Sequence, residues 1–196
     1  MVAEIGYNHF MKINDDTIIK DNDPFIRTKS VDVEIPLSQE DKEIFEEMLY
    51  YVRNSTNEEI AEKENLKPAV GISAIQFGVA KKMLVVCIRN EKDEIEWEYA
   101  LANPKLISSS LEKAYLAAGE GCLSVPEGHE GYVYRARRIK IKAYSYLDQK
   151  EVQIKATGYP AIVLQHEMDH LNGILYYDHI NPKEPFYEDD KAFRIE

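Results

Sequence analysis

Between Pro160 and Gly173 the chain carries His166-Glu167-Met168-Asp169-His170, and this spacing constrains the fold more than any other feature. Histidines four residues apart stand one turn apart on the same face of an α-helix, so both imidazoles can reach a single metal ion. Glu167 is rotated from His166 by about 100°, which leaves its carboxylate beside such an ion as a base. Pro160 suits the first helical turn and Gly173 the position just past the end, so a helix beginning near Tyr159 is predicted. The pattern is that of zinc-type hydrolases.

A metal hydrolase needs a third ligand and an open position. Three candidates exist. The longer His-Glu-x-x-His-x-x-Gly-x-x-His pattern is met at Gly173 but has Tyr176 at its last ligand position. Glu184 and Glu188 lie in an acidic, Pro-containing tail with no helix to hold them. Cys122 is favoured, because the stretch from Gly119 to Pro126 is glycine-flanked and can approach a metal closely. Asp169 points elsewhere on the helix and is expected to anchor it to an arginine or a backbone group. Cys87, in an apolar run, reads as a small core residue.

The 196 residues suffice for one well-buried core, and 1–196 reads as a single domain. A net charge of −11 argues against binding nucleic acid through its phosphates. The basic cluster Arg135, Arg137 and Arg138 reads as the solvated face of an alternating strand. Met1–Asp16 has no secretory pattern, and no run of 18 apolar residues occurs, so a cytoplasmic protein without a membrane span is expected.

Helical spacing of Ile44, Phe45, Met48, Leu49 and Val52 after Ser38 predicts a helix to about Arg53. Residues 54–67 read as a loop with room for a frayed helical turn. Met83–Ile88 is continuously apolar, as in a strand buried on both faces. Tyr99–Ile107 is broken by Asn103-Pro104, which suggests an edge or bent strand. Gly131–Leu147 alternates and turns at Asp148-Gln149 into Glu151–Ala156; Ile174–Ile180 reads as a further strand. Strands followed by a chemistry-bearing helix indicate an α+β class.

Three blocks resemble, in order, the signature motifs of the peptide deformylase family: Val70-Gly71-Ile72-Ser73-Ala74-Ile75-Gln76 with Ala69 before it, Glu120-Gly121-Cys122-Leu123-Ser124, and Gln165–His170. Ala69 stands where the family pattern has glycine, and Ser73 where it has alanine. Ser73 therefore brings a hydroxyl that must find a partner if buried. The polar segment 54–67 resembles an insertion of the larger members. The resemblance implies antiparallel or mixed sheets around a central metal-binding helix. It implies one divalent ion, Fe²⁺ natively with Zn²⁺, Ni²⁺ or Co²⁺ as substitutes, held by Cys122, His166 and His170. Glu167 would be the base, with the Gln76 amide and the Leu123 N–H as oxyanion donors. Val70, Gly71, Ile162 and Val163 would receive the peptide, an N-formylmethionyl chain, with transient ribosome association. The tail lacks the basic helix that some members use for that docking.

Overall fold

The computed structural model describes residues 12–196. The reading of Met1–Asp16 falls mostly outside them. No helix among the described residues is long and apolar enough to cross a membrane.

The first helix, α1 (Gln39–Asn54), starts at Ser38, whose Oγ accepts the Asp41 N–H at 3.1 Å while the Asp41 carboxylate takes the Ser38 N–H. Lys81 anchors that same carboxylate at 2.7 Å, tying the helix start to a distant loop. A five-stranded antiparallel sheet has the order β1 (Gly71–Ser73), β2 (Met83–Arg89), β3 (Ile95–Ser109), β6 (Arg138–Ser145), β7 (Lys150–Thr157). A smaller sheet places β4 (Lys113–Leu116) between β5 (Arg135–Ala136) and β8 (Phe193–Ile195), the last parallel to it. Helix α3 (Tyr159–His170) touches strands of both sheets. The architecture is α+β with mixed sheets, as expected.

Continuous apolarity in β2 has a direct cause. Met83, Val85 and Cys87 pack with Phe45, Met48, Leu49 and Val52 of α1 in one cluster. Leu84, Val86 and Ile88 face the other way, into a cluster with Ala161, Val163 and Leu164 of α3. Successive strand side chains point to opposite faces, so a sheet covered by helices on both sides has no polar face.

Four local expectations are corrected. Residues 58–64 form a short helix, α2 (Glu58–Glu64), capped by Asn57 and closed by left-handed Asn65. None of its residues is buried, so it lacks the stripe that would reveal it, although Ile60 and Ala61 lean on the first cluster. β3 is central, not an edge, and passes Asn103-Pro104 through a register shift between Ala102 and Lys105. Proline has no N–H to offer, and a bulge asks for none. The Asn103 amide instead clamps Val33, accepting its N–H at 2.8 Å and donating to its carbonyl at 2.9 Å. The alternating stretch 131–147 splits into β5 and β6, which belong to different sheets. Ile174–Ile180 is no strand: Tyr176–His179 is a 3₁₀ turn, closed by the Asp178 carboxylate on the Leu175 N–H at 2.9 Å.

Gly173 ends the α3 segment as anticipated, at φ +73°. A β-carbon there would meet the Arg27 carbonyl oxygen at 2.1 Å. Gly173→Ala is therefore expected to lower stability by roughly 2–5 kcal/mol, adding left-handed strain to a backbone collision. The urea midpoint, compared with that of Asn172→Ala, measures it.

Candidate active site

Helix α3 opens at Gly158, whose φ of 69° and ψ of −132° suit a residue without a β-carbon, and Pro160 occupies its first turn. His166 and His170 then sit on one face, and the loop after β4 brings Cys122 to them. His170 Nε2 lies 3.2 Å from both Cys122 Sγ and His166 Nε2. These three donor atoms form a group able to hold one metal ion. Donors bound at about 2.0–2.3 Å to a tetrahedral ion stand roughly 3.3–3.6 Å apart, so the observed spacing fits one. The chemistry fits as well. His170 Nε2 faces the His166 nitrogen and the Cys122 sulfur. Three lone pairs aimed at one point suit a cation.

Glu120 and Arg135 organise this group. The His166 Nδ1–H donates to Glu120 Oε2 at 2.8 Å, which turns Nε2 toward Cys122 and His170. Arg135 grips Glu120 with Nε at 2.6 Å and Nη2 at 2.9 Å, and reaches Asp169 with Nη1 at 2.7 Å. His179 Nε2 also meets Asp169, at 2.7 Å. The arginine anchor expected for Asp169 is present. The solvated reading of the basic cluster is wrong for Arg135, which is 5% exposed. Alternation put its side chain on a definite face, but that face is covered by α3 and the Glu120 loop. Its neighbours differ: Arg137 and Arg138 pair with Glu112 at the surface.

Burial opposes charge on Glu120, but hydrogen bonds from His166 and Arg135 outweigh it and hold its carboxyl below the ordinary range. Asp169 is lowered in the same way, burial being outweighed by His179 and Arg135. Burial dominates at Glu167 and pushes its carboxyl up. At His166 burial is overcome by Cys122 and Glu120, which raise its pKa well above the ordinary value. Burial and the adjacent His166 press His170 well below it.

A cleft of about 580 Å³ opens over the group. Val70, Gly71, Gln76, Cys122, Leu123, Ile162, Val163, His166 and Glu167, all anticipated from the sequence, line it. Ile162 and Val163 are core and wall at once, being 1% and 6% exposed while facing the cleft. Gln76 Oε1 accepts the Ser73 N–H at 2.8 Å, which turns Nε2 toward Ser124 Oγ at 3.3 Å and Cys122 Sγ at 3.8 Å. Gly71 is not a turn residue; it lies in edge strand β1, and a β-carbon on it would strike Glu167 Oε1 at 2.6 Å. Two of the alternative positions, Tyr176 and Glu188, are engaged elsewhere. Tyr176 Oη accepts the His129 N–H, and Glu188 meets Tyr132 and Arg194.

Two imidazoles, a thiol and a buried carboxylate at the floor of an apolar cleft make a site suited to metal-assisted hydrolysis. The chain belongs to the polypeptide deformylase family, whose model matches residues 16–186. It is 43% identical over 181 residues to Peptide deformylase 2 of Bacillus subtilis (strain 168), covering 92% of this chain and 97% of that protein. Peptide deformylase 2 of Bacillus cereus is 45% identical over 179 residues, covering 91% and 96%. Among solved structures, a probable peptide deformylase from Synechococcus phage S-SSM7 is similar with a TM-score of 0.67 and 33% identity, covering 83% of this chain and 97% of that one. Peptide deformylase from Ehrlichia chaffeensis also gives 0.67, at 31% identity, covering 86% and 89%.

The buried guanidinium provides a stability test. Arg135→Met would leave the buried Glu120 carboxylate without its cation and the partly buried Asp169 with His179 alone, a loss of about 3–5 kcal/mol near neutral pH. Both carboxyls are lowered on folding, so the network contributes fully above roughly pH 4–4.5 and is lost as pH falls through the folded values. Urea midpoints between pH 3 and 7 are expected to show the gap between wild type and Arg135→Met shrinking toward the acid end.

Proposed function

We propose that Cys122, His166 and His170 hold one divalent ion, Fe²⁺ natively with Zn²⁺, Ni²⁺ and Co²⁺ as substitutes, and that residues 1–196 act as one catalytic domain. The family activity is removal of the N-formyl group from nascent peptides, and it is the activity of this chain. When bound, the ion supplies a Lewis acid that polarises the formyl carbonyl and makes water acidic enough to react near neutrality. The chain's own residues do the rest. Glu167, raised by burial and set beside the donor group, takes a proton from the attacking water and returns it to the departing amine nitrogen. Gln76 Nε2 and the Leu123 N–H donate to the carbonyl oxygen as charge builds on it, a contribution of roughly 3–4 kcal/mol for such a donor.

Val70, Ile162 and Val163 receive the methionine side chain. Gly71 lets the peptide backbone run alongside β1, whose outer edge has no strand partner among the described residues. The observation that carries this reading is the convergence of Cys122 Sγ, His166 Nε2 and His170 Nε2 beside a buried Glu167. Substrate reaches the cleft in the cytoplasm during transient encounters with the ribosome.

Glu167→Ala is expected to keep a full metal complement yet lose activity by about 10²–10⁴-fold, whereas Cys122→Ala and His170→Ala lose the metal. Elemental analysis beside formate release distinguishes them; metal retained in Cys122→Ala would remove the ligand assignment.

Selectivity gives a second check. The formyl carbon bears only hydrogen, and an acetyl group adds a methyl where Gly71, Gln76 and Leu123 crowd the reacting carbon. Formyl-Met-Ala should be cleaved about a hundredfold faster than acetyl-Met-Ala, because extra volume displaces the carbonyl from its attack geometry. Replacing methionine by glycine removes an apolar anchor of about 2 kcal/mol and should lower kcat/KM more than about tenfold. Equal release of formate and acetate from the two peptides would contradict this reading.

A further inference from the structure

Ser73 closes β1, is fully buried, and stands where the motif carries alanine. Its hydroxyl lies 2.8 Å from Glu167 Oε2 and 2.9 Å from the Glu167 backbone oxygen. A serine hydroxyl has one proton, and an ionised carboxylate is the stronger of the two acceptors. No other hydrogen bond reaches the Glu167 carboxylate among the described residues. The second oxygen, Oε1, lies against the backbone of Gly71, so close that a β-carbon there would stand 2.6 Å from it. One oxygen is therefore tied by a hydrogen bond, and the other rests beside Gly71, which lines the cleft. A glutamate has three rotatable side-chain bonds, and in a buried space without a partner its carboxylate could turn among several orientations.

The same residue reaches a second participant. The Ser73 N–H donates to Gln76 Oε1 at 2.8 Å and so aims Gln76 Nε2 toward Cys122. Any residue but proline at position 73 would make that backbone contact. Only the hydroxyl makes the contact with Glu167.

We propose that Ser73 is a positioning residue of this enzyme: its hydroxyl holds the Glu167 carboxylate by Oε2 and reserves Oε1 for the proton of the attacking water. Proton transfer needs the accepting oxygen within hydrogen-bond reach and correctly oriented, so a carboxylate held in one orientation acts in a larger share of encounters. The hydroxyl meets neither the cleft nor the three donor atoms, so its effect falls on turnover and leaves substrate binding and metal content alone. The inference rests on Glu167 being the base.

The test uses metal-loaded enzyme and formyl-Met-Ala, with Ser73→Ala, Ser73→Thr and Glu167→Ala side by side. Ser73→Ala is expected to keep one metal per chain, a KM within about twofold of wild type and a similar thermal midpoint, while kcat falls about tenfold. Ser73→Thr, which restores the hydroxyl on a strand-compatible residue, should recover most of that loss. The proposal is overturned if Ser73→Ala leaves kcat within about twofold, if its loss of kcat comes with lost metal or raised KM, or if threonine recovers nothing. Glu167→Ala separates the two levels. An active Glu167→Ala would remove the base assignment itself, whereas an inactive one beside a fully active Ser73→Ala would remove only the role of Ser73.

Discussion

Arg135 sits where three segments of chain meet, and its guanidinium has no water to turn to. An ion taken out of water loses several kcal/mol of solvation, and only close, well-directed partners restore it. Glu120 from the loop after β4 supplies a two-pronged contact, and Asp169 from α3 supplies a third hydrogen bond. Each of these acids is within two residues of a proposed metal ligand: Glu120 precedes Cys122 by two, and Asp169 precedes His170 directly. Glu120 also holds the His166 ring by its Nδ1. One buried cation thereby fixes the distance between the loop and the helix together with the Glu120–His166 bond.

The larger sheet provides the rigid side of the site. Its strand β2 carries apolar residues on both faces, with α1 covering one and α3 the other. Because β1 is the sheet's outer strand and lies against α3, its backbone comes to the helix with very little between them. Gly71 allows the Glu167 carboxylate to rest on that backbone, and Ser73 bonds to it. The departure from alanine at position 73 thus has a structural counterpart, a buried hydroxyl satisfied by the one carboxylate on the cleft floor that has no salt bridge. At position 69 the departure is accommodated differently. Ala69 is not among the residues with positive φ, and the Ser55 hydroxyl brackets its backbone N–H and carbonyl.

Much of this molecule was legible in its residues, for local reasons. Helix α1 followed from its cap and apolar stripe, β2 from a run too apolar to have a wet face, and α3 from Pro160, Gly173 and the spacing of its histidines. All ten site residues anticipated from the sequence converge on one cleft and the donor group beneath it. The misreadings share a cause. Helix α2 buries nothing, so it has no periodic signal. Asn103-Pro104 suggested an edge or bent strand, and of the two it is the bend that the structure has, with a bulge and a side-chain clamp on Val33 carrying a central β3 through it. Residues 174–180 had strand-like composition, but a capping aspartate and two buried side chains bend them into a turn.

The sequence by itself determined the helix with its paired histidines, the cysteine loop and the order of the motifs, because each depends on residues close together along the chain. Tertiary structure alone decided that Arg135 is buried rather than wet, that Glu120 orients His166, and that the Ser73 hydroxyl finds Glu167. Those partners lie 15, 46 and 94 positions apart. A charge or hydroxyl on an alternating strand has a face but no address until another segment covers it, and the cost of leaving it buried and unpaired is felt only then.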